Sequence, residues 1–114
     1  MSKIDLSYLE SIASGDKEFI KEMLELFYKS TYPEIENIED LSNNKDWDKI
    51  VLIAHRIKAP LQILGQTDTY DMIINLEKNA KQRINLEQID GLIKLIKKNM
   101  SEINSEIHNI IELM

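Results

Sequence analysis

Apolar residues recur along this chain at steps of three and four over most of its length. That spacing gathers them on one face of an α-helix, whereas a strand would alternate at every second residue. The clearest run lies toward the C-terminal end. There Ile89, Ile93, Ile96, Met100, Ile103, Ile107, Ile110 and Met114 follow alternating steps of four and three. This heptad seam predicts a last helix, with Asn85 placed to cap it. The seam reads as the inner face of a bundle; a homodimer built on it is the competing reading.

Four further helices follow from the same pattern. Leu6, Leu9, Ile12 and Ala13 predict a short first helix capped by Asp5 or Ser7. Ser14-Gly15-Asp16 closes it, with Gly15 suited to a left-handed position and Asp16 to the next N-cap. The second helix runs from about Lys17 to Leu41, its buried side marked by Phe19, Ile20, Met23, Phe27, Ile35, Ile38 and Leu41. Pro33 should kink it, because its ring removes a backbone donor and crowds the preceding turn. Ser42-Asn43-Asn44-Lys45 reads as a loop, and Asp46 caps a third helix starting near Trp47. Gly65 and Gln66 make a tight turn, after which Thr67 or Asp68 caps a fourth helix to about Lys81. The expected fold is all-α: an antiparallel four-helix bundle with a short extra N-terminal helix, one domain over residues 1–114.

Composition agrees and narrows the function. The chain has 114 residues, 43% hydrophobic and 30% charged, with three Gly and two Pro. One core is affordable at this length, and there is little loop material. The formal net charge is −6, which disfavours nucleic acid and anionic membrane surfaces as partners. Cysteine is absent, so disulfides, thiolate catalysis and Cys-based zinc sites are excluded. Met1-Ser2-Lys3-Ile4-Asp5 opens no long apolar run, and no stretch reaches the length of a membrane span. The expectation is a cytoplasmic monomer.

The candidate chemistry lies on the third helix. At 100° per residue, Ile50, Ile53, Ala54, Ile57, Leu61 and Leu64 share the buried face. His55 falls roughly 140° from the centre of that face and should point to solvent. Lys58 follows one turn later on the same side. An exposed imidazole beside a positioned cation suits receipt of a phosphoryl group. The third and fourth helices form a hairpin about Gly65 and Gln66, with His55 ten residues before Gly65 and Glu77 twelve after it. Equal rise on both arms brings the two to similar depth. With Ile73 and Leu76 facing the core, Glu77 sits on the shoulder of that face. There it could accept the Nδ1–H of His55 and leave Nε2 with its lone pair outward. Leu52, Ala59 and Ile63 form a small apolar patch on the outer side of the same helix, a feature of docking surfaces, although the second or the first helix could cover part of it. His108, beside the seam residue Ile107 and without a Lys three residues on, reads as an exposed bystander. No carboxylates cluster with histidine at metal-ligand spacing.

These residues resemble a known family. Ala54-His55-Arg56-Ile57-Lys58 followed by Leu64-Gly65 is similar to the signature of histidine-containing phosphotransfer (HPt) domains. That signature carries a His, a Lys three residues on, a Leu-Gly pair nine and ten on, and an acidic or amide residue twenty-two on, here Glu77. The likeness extends across nearly the whole chain: Gly15-Asp16-Lys17-Glu18-Phe19 resembles the turn before the family's long second helix, and Asp46-Trp47 the start of its histidine-bearing helix.

The resemblance implies a two-component phosphorelay. His55 Nε2 would take a phosphoryl group from the aspartate of a receiver domain and pass it to another response regulator, with Lys58 offsetting charge on the phosphoryl oxygens and Glu77 holding the ring. Partners would be response regulator receiver domains and a hybrid sensor histidine kinase. The domain would be a phosphoryl carrier with no cofactor of its own, Mg2+ belonging to the partner receiver. Two departures stand out. The family usually has Gly directly after the Lys and then small residues; this chain has Ala59, Pro60, Leu61, Gln62 and Ile63. Gln62 and Ile63 would narrow the set of receivers that fit. Pro60 either kinks the helix or begins a new turn, at a cost of roughly 3 kcal/mol for an interior position. The alternative function is a receiver-binding or helical scaffold module that is not phosphorylated.

Overall fold

A computed structural model describes residues 4–114. The expected N-terminal reading for Met1, Ser2 and Lys3 lies outside the described residues. Helices α1 (Ser7–Ala13), α2 (Lys17–Leu26), α3 (Tyr32–Glu36), α4 (Ile38–Asn43), α5 (Trp47–Ile63), α6 (Thr67–Gln82) and α7 (Leu86–Leu113) follow in order, with a π-helical turn at Phe27–Thr31 between α2 and α3. There is no strand among the described residues. The segments from α2 to α4 make one long bent arm. With α5, α6 and α7 it forms the four-helix bundle, and α1 is the short extra helix.

The bent arm differs from the single kinked helix the pattern predicts. Pro33 has no N–H for the carbonyl of Lys29, and its ring crowds that carbonyl. The backbone answers just upstream with a π turn, in which the N–H of Tyr32 donates to the carbonyl of Phe27, five residues back. Pro33 then sits in the first turn of α3, where a missing donor costs nothing. A second break at Asn37 separates α3 from α4. The wider turn keeps Ile20, Leu24, Phe27, Thr31, Ile35 and Ile38 on the buried side, including Leu24 and the polar Thr31, which the apolar stripe did not single out.

Caps and turns fix the helix ends. The Asp16 carboxylate accepts from the N–H of Phe19 and the Asp46 carboxylate from that of Lys49, as expected; such caps contribute about 1 kcal/mol each. Neither Asp5 nor Ser7 holds the N-cap of α1, which falls to Leu6 without a side-chain bond; the Asp5 carboxylate, one residue earlier, accepts the N–H of Ser7. Helix α6 has Gln66 at its N-cap, not Thr67 or Asp68. The Gln66 side chain is drawn inward instead, where its carbonyl accepts from the Thr69 hydroxyl, which in turn accepts from the Asn99 amide. Asn85 occupies the N-cap of α7 in a left-handed conformation, without a side-chain bond.

Pro60 does not end α5, which runs on to Ile63. On α7, Ile89, Ile93, Ile96, Met100, Ile103 and Ile107 are fully buried within the bundle. The seam is therefore the inner face and not a surface held open for a second copy. Burying side chains of this size stabilises by about 1.5–3 kcal/mol each, and α7 is the column on which α6 and the bent arm pack. At its end Ile110 is half-buried and Met114 exposed.

The α5–α6 turn is clamped from outside. Gly65 has φ +67°, and a Cβ built on it would lie 2.7 Å from the Cβ and 2.9 Å from the carbonyl oxygen of Asp5. The N–H of Asp5 donates to the carbonyl of Leu64 at 2.9 Å. The chain before α1 thus lies across the turn so closely that only glycine fits beneath it. This fixes the hairpin on which His55 and Glu77 sit.

Candidate functional site

Helix α5 buries Ile50, Ile53, Ala54, Ile57 and Leu61 and turns His55 outward, its side chain 72% exposed. Helix α6 buries Ile73, Leu76 and Ala80, which leaves Glu77 on the shoulder facing α5. The two arms are antiparallel, and the expected pairing forms. Nδ1 of His55 lies 3.3 Å from Oε2 of Glu77. Nζ of Lys58 donates to Oε1 of the same carboxylate at 2.9 Å. Glu77 and Lys58 are both largely covered, whereas the imidazole is open.

The charge state of Glu77 decides the tautomer of His55. Partial burial pushes the Glu77 carboxyl up, but the hydrogen bond and charge of Lys58, and then those of His55, outweigh it and hold the group below the ordinary glutamate range. At neutral pH Glu77 is a carboxylate and can only accept. The proton between the two residues must therefore belong to Nδ1. In the neutral ring this leaves the lone pair on Nε2, away from Glu77. A solvent-facing, oriented nitrogen nucleophile with a cation one turn away is what the geometry offers.

The surrounding surface is apolar on one side. Leu52 is exposed, one turn before His55, and Ala59 and Gln62 are exposed after it. Ile63 is half-buried and lines a groove between α5 and the bent arm. The groove has a volume of about 190 Å³ and is walled by Met23, Leu26, Phe27 and Thr31 on one side and Ala59, Pro60, Ile63 and Leu64 on the other. Pro60 therefore faces the π turn across this groove. Neither the first nor the second helix covers Leu52; Ile63 is the residue partly covered.

Three neighbours were not evident from the pattern. Arg56 Nε donates to Oε2 of Glu34 at 3.1 Å and ties α5 to α3 beside the histidine. Leu26 stands exposed on the groove, and Ile74 is exposed one turn before Glu77 on α6. The partnership of Glu34 with Arg56 depends on how the bent arm crosses α5, which periodicity does not encode. His108 is exposed, as expected, but its ring stacks on Tyr28 with centroids 4.4 Å apart. No group of three or more potential metal-ligating side chains occurs among the described residues. No helix among them is long and apolar enough to cross a membrane.

Comparison with known proteins gives a distant likeness. The chain is 20% identical over 103 residues, 90% of its length, to the virulence sensor protein BvgS of Bordetella pertussis. It is equally similar to BvgS of Bordetella parapertussis and 19% identical to that of Bordetella bronchiseptica. It spans 8% of the length of these relatives. No family model matches the chain, and no solved structure matches it.

Proposed function

We propose that this chain is a histidine phosphotransfer domain of a two-component phosphorelay. The observation that carries the reading is the contact of His55 Nδ1 with the ionised Glu77, which leaves Nε2 as an exposed nucleophile. The Nε2 lone pair attacks the phosphorus of a receiver's aspartyl phosphate. The P–N bond forms, the P–O bond to the aspartate breaks, and the aspartate departs as a carboxylate. The ring, still carrying the Nδ1 proton, takes a positive charge that Glu77 balances. Transfer to a second receiver reverses these steps. Positioning and electrostatics suffice for such a transfer, so the domain is a carrier and not an autonomous enzyme.

The likeness to a sensor protein along nine-tenths of this chain supports a place in signalling, with a hybrid sensor kinase and response regulator receivers as partners and the cytoplasm as the setting. Leu52, Ala59, Gln62 and Ile63 surround His55 as the receiver-docking surface, and the Mg2+ of the reaction belongs to the receiver. Residues 1–114 act as one domain in this reading.

Incubation with a phosphorylated receiver tests it. Acid-labile, base-stable label should appear on the wild-type chain and be absent from His55→Gln. Tight receiver binding without label would instead favour a docking module that uses the apolar groove alone.

A further inference from the structure

His55 and Lys58 do not engage Glu77 independently. One oxygen of the carboxylate faces Nδ1 of His55 at 3.3 Å, and the other takes Nζ of Lys58 at 2.9 Å. A single negative charge thus serves two groups. The Lys58 side chain is the more sheltered of the two, 25% exposed against 72% for that of His55. The carboxylate of Glu77 holds the ammonium in the resting protein and competes for it with any second anion that arrives beside His55.

A phosphoryl group on Nε2 would set about two negative charges and three acceptor oxygens within one helical turn of Lys58. A dianion attracts an ammonium more strongly than a carboxylate does at the same separation. The lysine stem is flexible and its three donors rotate freely, which suits exchange between two anions.

We propose that Glu77 stores Lys58 in the resting protein and yields it to the phosphoryl oxygens once His55 is charged, while keeping the Nδ1–H of the ring. The inference rests on His55 being the phosphoryl acceptor. Glu77 is then a positioning residue with two effects of opposite sign: it orients the nucleophile, and it holds back the cation that meets the phosphoryl group. The resting site stays locally balanced in a chain of net charge −6, and the cation is exposed to the phosphoryl group only when there is charge to meet.

Phosphoramidate, which needs no partner protein, provides the test on the full chain. The Nε2 lone pair attacks its phosphorus, the reagent's P–N bond breaks, and ammonia leaves with that electron pair from the zwitterionic reagent. Loading rates are measured for wild type, Glu77→Gln, Lys58→Ala and the double variant. A glutamine carbonyl still accepts from Nδ1–H but offers Lys58 no charge. Lys58→Ala should therefore slow loading by a larger factor in the Glu77→Gln background than in wild type, the two factors differing by about threefold. In wild type alone, the ammonium NMR signal of Lys58 should move on loading. Equal factors in both backgrounds with an unmoved Lys58 signal in loaded wild type would overturn the exchange and leave His55 as acceptor. Wild type that takes no phosphoryl group at all would overturn the acceptor reading, and the exchange with it.

Discussion

His55 and Glu77 stand 22 residues apart in the chain, on opposite arms of the α5–α6 hairpin, yet Nδ1 and Oε2 are 3.3 Å apart. Three features produce this contact. The buried stripes of α5 and α6 rotate the two side chains toward each other, equal helical rise matches their depths, and Asp5 pins the turn at Gly65. The nucleophile's orientation is thus a property of the hairpin and not of His55 alone.

Glu77→Ala should leave the bundle folded, because its side chain lies on the shoulder of α6 and the buried column beneath it is intact. Phosphotransfer should slow by about tenfold or more, the loss of roughly 1.4 kcal/mol of preference for the productive tautomer and of charge balance on the ring. Circular dichroism and transfer rates measured on the same preparation check both halves. An unchanged rate would remove the orienting role.

Gly65→Ala should destabilise by about 1–3 kcal/mol, since an added Cβ meets the Asp5 backbone and the residue must keep a left-handed conformation. Gly91→Ala is the contrasting case. Gly91 lies inside α7 with nothing within 4 Å of an added Cβ, so alanine should stabilise by about 0.5–1 kcal/mol. Denaturant unfolding of the two variants should move the midpoint in opposite directions.

Acid should weaken the site through Glu77. Its carboxyl titrates below the ordinary value of 4.5, because the pull of Lys58 and His55 outweighs burial. A carboxyl whose folded value is depressed contributes fully above its unfolded value, and the contribution fades as pH falls through the folded value. The stability difference between wild type and Glu77→Gln should therefore shrink as pH is lowered from about 6 to about 3. A difference that stays constant over that interval would mean that the carboxylate gains nothing from its two partners.

Leu52→Asp should cost little stability, since Leu52 is 58% exposed. Loading of His55 by phosphoramidate should persist, while affinity for a receiver falls about tenfold if Leu52 lies in the docking surface. Titration calorimetry with a cognate receiver separates the two effects; unaltered affinity would place the docking surface elsewhere.

Much of this was legible in the sequence because helical periodicity is a strong signal. The stripe of α5 gave both its buried face and the outward direction of His55, and counting residues from Gly65 was enough to pair it with Glu77. The caps at Asp16 and Asp46 followed from local chemistry. What was not legible came from tertiary context. The π turn arises because Pro33 must stay in an arm whose two ends both pack on the core, and no local pattern distinguishes that from a simple kink. Gln66 stands at the cap of α6 in place of Thr67 and Asp68, its side-chain carbonyl drawn inward to the hydroxyl of Thr69, which accepts in turn from Asn99, 30 residues beyond Thr69 in the chain. The bond of Lys58 to Glu77 was likewise hidden: Lys58 read as a cation facing the incoming phosphoryl group, whereas it is engaged by the carboxylate that orients His55.

The central claim is tested most directly by long-range nitrogen–proton and phosphorus NMR of the chain loaded by a phosphorylated receiver. The account predicts one P–N bond, at Nε2 of His55, with the proton retained on Nδ1. Phosphorus bonded to Nδ1 of His55 or to His108, or no P–N bond after incubation with the phosphorylated receiver, would contradict it.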